Sequence, residues 1–162
     1  DSTRYQFSFW NSFWSYIVKR GYAAIGLDNP KNILNIGSVL RAAEAYDVAM
    51  VAMSGNRIKK PGITDTGKAY RHLPFLRTDD ILDIIPYDCV PVAVDIISGA
   101  IPLHKYYHPE RAFYIFGAED STLGSRITSK CRDIIYVPTK ICMNLAATVN
   151  VILYDRLAKE LS

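Results

Sequence analysis

Tyr22-Ala-Ala-Ile-Gly-Leu27-Asp-Asn-Pro-Lys31-Asn-Ile-Leu-Asn35-Ile-Gly-Ser-Val-Leu-Arg41 carries the unit from which the fold is built. Tyr22–Leu27 is an apolar run of strand length, and Asp28-Asn-Pro-Lys31 is turn chemistry. Ile36–Tyr46 then places apolar residues at helical spacing. A carboxamide at Asn35 and a guanidinium at Arg41 therefore fall at, and just inside, the start of a helix. A turn containing Asn35 and Gly37 would free backbone N–H groups there, a good place to hold a phosphate or orient a hydroxyl. Taken alone, Asn35 reads equally as a helix cap and Arg41 as a helix-surface charge.

The same alternation runs outward along the chain. Val48–Met53, Leu73–Leu76, Val90–Val94, Ala112–Phe116 and Asp133–Val137 read as strands. Short helices are expected at Thr66–Arg71, Asp79–Ile85 and Ser125–Lys130, and a long terminal helix over Asn144–Leu161. Strands alternating with helices imply an α/β fold with a mostly parallel sheet and helices on both faces. Ligands of such sheets sit beyond the carboxyl ends of the strands. Two further polar signatures, Phe116-Gly-Ala-Glu119 and Cys142-Met-Asn144, fall at such ends, so three separate stretches could converge on one site. Before this domain, over residues 21–162, residues 1–20 read as an amphipathic helical extension, with Trp10, Phe13, Trp14 and Ile17 on one stripe.

Composition bounds the function. The 162 residues suffice for one domain with a real core, and 49% apolar with 22% charged residues is ordinary for a globular protein. A net charge of +3 permits a polyanionic partner without demanding one. Cys89, Cys131 and Cys142 are odd in number and lack metal-ligand spacing, so a reduced, cytoplasmic chain is expected. His72, His104 and His108 share no metal spacing, and no apolar run is long enough for a bilayer. The chain opens at Asp1 without Met, as a trimmed or partial polypeptide would. A Gly-x-Gly-x-x-Gly fingerprint and a P-loop lysine motif are both missing, which lowers hydride transfer and nucleotide hydrolysis as candidates.

Together the three signatures resemble those of the SpoU/TrmH-type RNA 2'-O-ribose methyltransferases of the SPOUT superfamily. Asn35-Ile-Gly-Ser-Val-Leu-Arg41-Ala-Ala-Glu44 is similar to their first motif and Ile115-Phe-Gly-Ala-Glu119 to their second. Val137-Pro138, followed by Cys142-Met-Asn144-Leu-Ala-Ala-Thr-Val, resembles their third. The match runs in order over roughly residues 22–160. It departs at Cys142 and Ala146, where serine is usual, and in a short link through Thr139-Lys140. The resemblance implies a C-terminal deep trefoil knot, S-adenosylmethionine (AdoMet) as cofactor and a homodimer with its substrate site near the subunit interface. It implies no metal and no membrane.

Carried over by motif, the resemblance makes Arg41, Asn35, Glu119 and Asn144 the catalytic set. Phe116, Gly117, Val137, Met143 and Asn144 become the cofactor side. Methyl transfer displaces a neutral leaving group, so the demanding partner is the ribose hydroxyl. Arg41, always protonated, suits a developing alkoxide and the neighbouring phosphate better than it suits a base. Asn35 and Asn144 would orient Arg41 and the ribose, while Glu119 would anchor its loop or assist Arg41. The basic residues Arg57, Lys59, Lys60, Lys68, Arg71 and Arg77 are the expected contacts to a tRNA or rRNA substrate. Two alternatives stay open: an RNA-binding protein that kept the fold but lost catalysis, and a methyltransferase acting on the base.

Overall fold

The computed structural model describes residues 21–58 and 72–162. Among these residues seven strands form one sheet: β1 (Tyr22–Leu27), β2 (Met50–Ser54), β3 (Phe75–Thr78), β4 (Val90–Val94), β5 (Ile101–Pro102), β6 (Arg111–Phe116) and β7 (Asp133–Tyr136). Their order is β3-β2-β1-β6-β4-β7-β5, and every pairing is parallel. All carboxyl ends therefore lie along one edge. The β-branched run Val90–Val94 and the apolar run Tyr22–Leu27 form strands with the bounds their sequences suggest. The two-residue β5 escapes sequence patterning, because only its pairing with β7 defines it.

Period-two alternation splits the core into two layers. Ala23, Ile25 and Leu27 of β1 join Ala112, Tyr114 and Phe116 of β6 on one face. Against them pack Ile36, Val39 and Leu40 of α1 (Ile33–Ala45) and Val149, Ile152 and Leu153 of α3 (Leu145–Leu161). Ala24, Phe113 and Ile115 point the other way, towards Ile81 of the 3-10 turn Ile81–Ile84 and Ile127 of the short α2 (Ser125–Thr128). Gly26 is required on that second face. A Cβ there would lie 2.5 Å from the ring of Phe113, which is fully buried.

The first helix begins at Ile33, three residues earlier than periodicity suggested, and its cap is Asn32, whose side chain accepts the Leu34 N–H. Asn35 and Gly37 are thus inside the first turns of α1, not in a turn before it. The cap of α3 is Asn144, whose Oδ1 accepts from the N–H groups of Ala146 at 2.8 Å and Ala147 at 3.2 Å. The far end of α3 is tied down by buried Arg156, which donates to the carbonyls of Pro109 and Glu110, and by Lys159, which donates to those of Leu103 and Tyr106. The expected helix at 66–71 and the N-terminal stripe of Trp10, Phe13, Trp14 and Ile17 lie outside the described residues.

Candidate active site

A cavity of about 700 Å³ opens at the carboxyl edge, where β4, β6 and β7 end at Val94, Phe116 and Tyr136. Its walls come from the loops that follow those strands and from the first turns of α1 and α3. Phe116, Gly117, Val137, Met143 and Asn144, the residues expected on the cofactor side, all line it. So do Asn35 and Glu119, and with them Lys31, Asn32 and Asp95, which sequence patterning had not singled out. A lone acid after a β-branched strand, as at Asp95, was the available signal.

At one side of the cavity three polar residues from distant segments meet. Glu119 Oε1 accepts from the Asn35 side-chain amide at 2.8 Å and from the Asn32 N–H at 3.3 Å, while Oε2 accepts from the Lys31 N–H at 3.0 Å. Asn35 Oδ1 in turn accepts from Asn144 Nδ2 at 3.1 Å. A continuous chain of bonds thus joins the loop after β6, the first turn of α1 and the cap of α3. Burial pushes the Glu119 carboxyl up, but the Asn35 amide and the backbone N–H groups outweigh it and hold the carboxyl below the usual range. Glu119 is consequently an ionised acceptor already engaged by three donors, a poor candidate for taking a proton. Asn35 is buried, and both ends of its carboxamide are used within this chain of bonds.

Arg41 stands apart. It is exposed on α1 and is not part of the cavity wall. Six residues of helix carry it about 9 Å beyond Asn35 and turn it roughly 120° away. Arg57 sits near the rim, where its guanidinium forks onto Asp120 with bonds of 3.0 and 3.2 Å. Lys31 reaches the same carboxylate at 3.8 Å. Arg77 donates to the carbonyls of Gly55 and Ile58, bracing the loop after β2. Lys59, Lys60, Lys68 and Arg71 lie outside the described residues. Cys142 is an exposed free thiol on the cavity wall. Among the described residues no group of acidic, histidine or cysteine side chains could hold a metal, and no helix is long and apolar enough to cross a membrane.

The sequence pattern of the SpoU rRNA Methylase family matches residues 22–154, from the first strand to well inside the last helix. The chain belongs to the SpoU rRNA methylase family. No curated protein matches it. Among solved structures it is similar to the SpoU methyltransferase AviRb from Streptomyces viridochromogenes. There the TM-score is 0.77 and the identity 17%, over 91% of this chain and 63% of that one. A TrmH/SpoU tRNA modifying enzyme from A. aeolicus gives a TM-score of 0.75 at 17% identity, covering 90% and 80%. An AdoMet-bound rRNA methyltransferase from Sinorhizobium meliloti gives 0.76 at 18% identity, covering 88% and 58%. The chain thus spans about three fifths of AviRb and of the Sinorhizobium protein.

SpoU methylases use AdoMet, and AviRb too is solved with that cofactor. The residues here fit it. The cavity volume of about 700 Å³ lies within the range of small-ligand sites, about 300–1,000 Å³. Apolar walls at Phe116, Val137 and Met143 suit an adenine and the carbon chain about the sulfonium, and a few charged groups suit the polar ends.

Proposed function

We propose that this SpoU methylase transfers a methyl group from AdoMet to a ribose 2'-hydroxyl of tRNA or rRNA. The observation that carries the proposal is the Glu119–Asn35–Asn144 chain of bonds beside a cavity of cofactor size at the strand ends. The family supplies the prior. One solved structural neighbour, at TM-score 0.73 and 19% identity, bears on 2'-OH methylation of C/U34 in tRNA.

When bound, AdoMet supplies a methyl group on a sulfonium that leaves as a neutral thioether, so the chain's own residues need only position and activate the hydroxyl. Glu119 fixes the α1 entry by binding two backbone N–H groups and the Asn35 amide. Asn35 passes that order to Asn144, which sets the α3 cap and the loop before it. Arg41 stabilises the alkoxide as the hydroxyl proton passes to water, and holds the adjacent phosphate.

The exposed position of Arg41 supports a homodimer in which it completes the site near the subunit interface. Leu34 on α1 and Val151 and Tyr154 on α3, which are 66%, 38% and 60% exposed, are apolar side chains open to such a contact. The C-terminal stretch is read as knotted. In support, β7 lies beyond β4, whereas α3 returns to pack on α1. Arg57 and Arg77, together with Lys59, Lys60, Lys68 and Arg71, are the proposed RNA contacts. The three free cysteines suit a cytoplasmic setting.

Methyl transfer from labelled AdoMet to total tRNA and rRNA tests the assignment, with Arg41→Ala as the decisive variant. The expected result is AdoMet binding within about twofold of the parent and transfer reduced by about 10²-fold or more. Unchanged transfer by Arg41→Ala would remove Arg41 from the chemistry. A protein that binds RNA but neither binds AdoMet nor transfers methyl would favour the non-catalytic alternative.

A further inference from the structure

Among the charged side chains that line the cavity, Lys31, Asp95 and Glu119, Asp95 is the acid with more acceptor capacity to spare. Glu119 already serves three N–H donors. Asp95 serves two: Oδ1 accepts from the Ile96 N–H at 2.9 Å, and Oδ2 from the Leu123 N–H at 3.2 Å. A carboxylate can accept about four hydrogen bonds, and Asp95 forms part of the cavity wall.

Its place in the sheet says what it could recognise. The register pairs Val94 with Phe116, the last residues of β4 and β6. Asp95 and Gly117 are therefore the first residues beyond the ends of two adjacent parallel strands. The Asp95 N–H extends the ladder to the Ile135 carbonyl at 3.0 Å, fixing the point from which its side chain departs. Its carboxylate also braces the loop that runs on from Gly117, through Leu123. In doubly wound sheets an acid at a strand end accepts from the ribose hydroxyl of an adenosine, while a glycine turn nearby lets the ligand approach the backbone closely.

We propose that Asp95 accepts hydrogen bonds from the ribose hydroxyls of AdoMet and so fixes the adenosine in the cavity. This rests on the assignment of the cavity to AdoMet. Asp95 is then a cofactor-binding residue that no motif of the sequence revealed. Its double role couples the ribose to the 117–124 loop, since one carboxylate holds both.

Calorimetric titration of the full chain with S-adenosylhomocysteine, which carries the same adenosine, and with its 2'-deoxy and 3'-deoxy analogues tests the proposal. The parent protein should bind at least one deoxy analogue roughly ten- to a hundredfold more weakly than S-adenosylhomocysteine, the scale of a hydrogen bond to a charged group. Asp95→Asn keeps an oxygen for the Leu123 N–H; it should lose a similar factor for S-adenosylhomocysteine and discriminate little against that analogue. Equal binding of all three ligands by the parent overturns the proposal, whatever the variant does. So does an Asp95→Asn variant that weakens all three equally, which would mark a purely structural bond to Leu123.

Gly117→Val separates this from the underlying assignment. A Cβ at Gly117 meets its nearest neighbours at 3.4 and 3.5 Å, ordinary van der Waals contact; the two further methyls of valine add bulk to the wall, and a thermal melt like the parent's checks that the fold accepts them. Unchanged binding by Gly117→Val would overturn the cavity assignment, and the Asp95 inference with it. Lost binding there, with parent-like ligand selectivity in Asp95→Asn, would overturn the Asp95 inference alone.

Discussion

Replacing Asn35 probes the junction of the site, because its two carboxamide bonds reach residues 84 and 109 positions away. Asn35→Ala removes both. The bond to Glu119 is charge-assisted, but Glu119 is solvent-exposed, so it contributes about 1–2 kcal/mol; the neutral bond to Asn144 contributes about 1 kcal/mol. The expected loss is about 2–3 kcal/mol. Asn35→Asp is the sharper variant. It puts an oxygen where Nδ2 now stands, 2.8 Å from Glu119 Oε1. Two carboxylates whose charges are near 4 Å apart repel by about 1 kcal/mol in water and about 4 kcal/mol near a protein surface; the aspartate keeps the Asn144 bond, about 1 kcal/mol, so it should fall about 1 kcal/mol below the alanine variant at pH 7. The local helix effect has the opposite sign. Asn35 is the third residue of α1, where an added acid stabilises a helix by about 0.3–1 kcal/mol. Urea unfolding at pH 7 and pH 4 therefore discriminates by sign. Asn35→Asp should be the less stable of the two at pH 7, and the gap should close at pH 4, where one carboxyl takes a proton. An aspartate variant as stable as the alanine variant at pH 7, or a gap indifferent to pH, would refute the contact with Glu119.

Two further outcomes follow from the packing. Gly26→Ala should cost about 1–3 kcal/mol, roughly 2–4 °C in melting temperature per kcal/mol, because the new methyl meets the Phe113 ring and Ile81; an unchanged thermal melt would contradict the packing of that layer. His108 gives a pH signature. Its Nδ1 faces the Tyr114 hydroxyl and its Nε2 faces Asp155, each at 2.7 Å, with Tyr106 edge-on and Arg156 and Lys159 close by. Burial, helped by the two cations, outweighs Asp155 and lowers the imidazole pKa in the folded state. The unfolded chain then binds the extra proton first, so stability is full above about pH 6.5 and declines as pH falls through the folded value. Urea midpoints compared between pH 8 and pH 5.5 should show a decline that His108→Gln reduces; equal slopes would contradict it.

What could be read from sequence, and what could not, divides along range of interaction. Val90–Val94 and Tyr22–Leu27 declare themselves because β-branched and apolar runs decide a strand locally. The start of α1 does not. Asn35 reads as its cap, yet the cap is Asn32, an outcome stabilised by Glu119, 87 positions from Asn32, which binds the Lys31 and Asn32 N–H groups. Strand order is equally non-local, since nothing in Val90–Val94 says that it lies between β6 and β7. That the stretches holding Asn35, Glu119 and Asn144 could converge was legible from their places at strand ends; the family resemblance added their roles, and only the structure shows the bonds between them. Asp95 offers only the faint signal of an acid directly after a β-branched run, because its meaning depends on the register that sets it beside Gly117. Arg57 reads as a free cation in sequence, yet it is paired with Asp120, a partner 63 positions away.

The central claim is that the methyl group goes to a ribose oxygen. Alkaline hydrolysis of RNA labelled by this protein with radioactive AdoMet tests it most directly, because cleavage needs a free 2'-hydroxyl next to the phosphate. Label should appear in alkali-resistant dinucleotides, and about 10²-fold less of it in a reaction run with Arg41→Ala. Label released in mononucleotides would place the methyl on a base and contradict the claim.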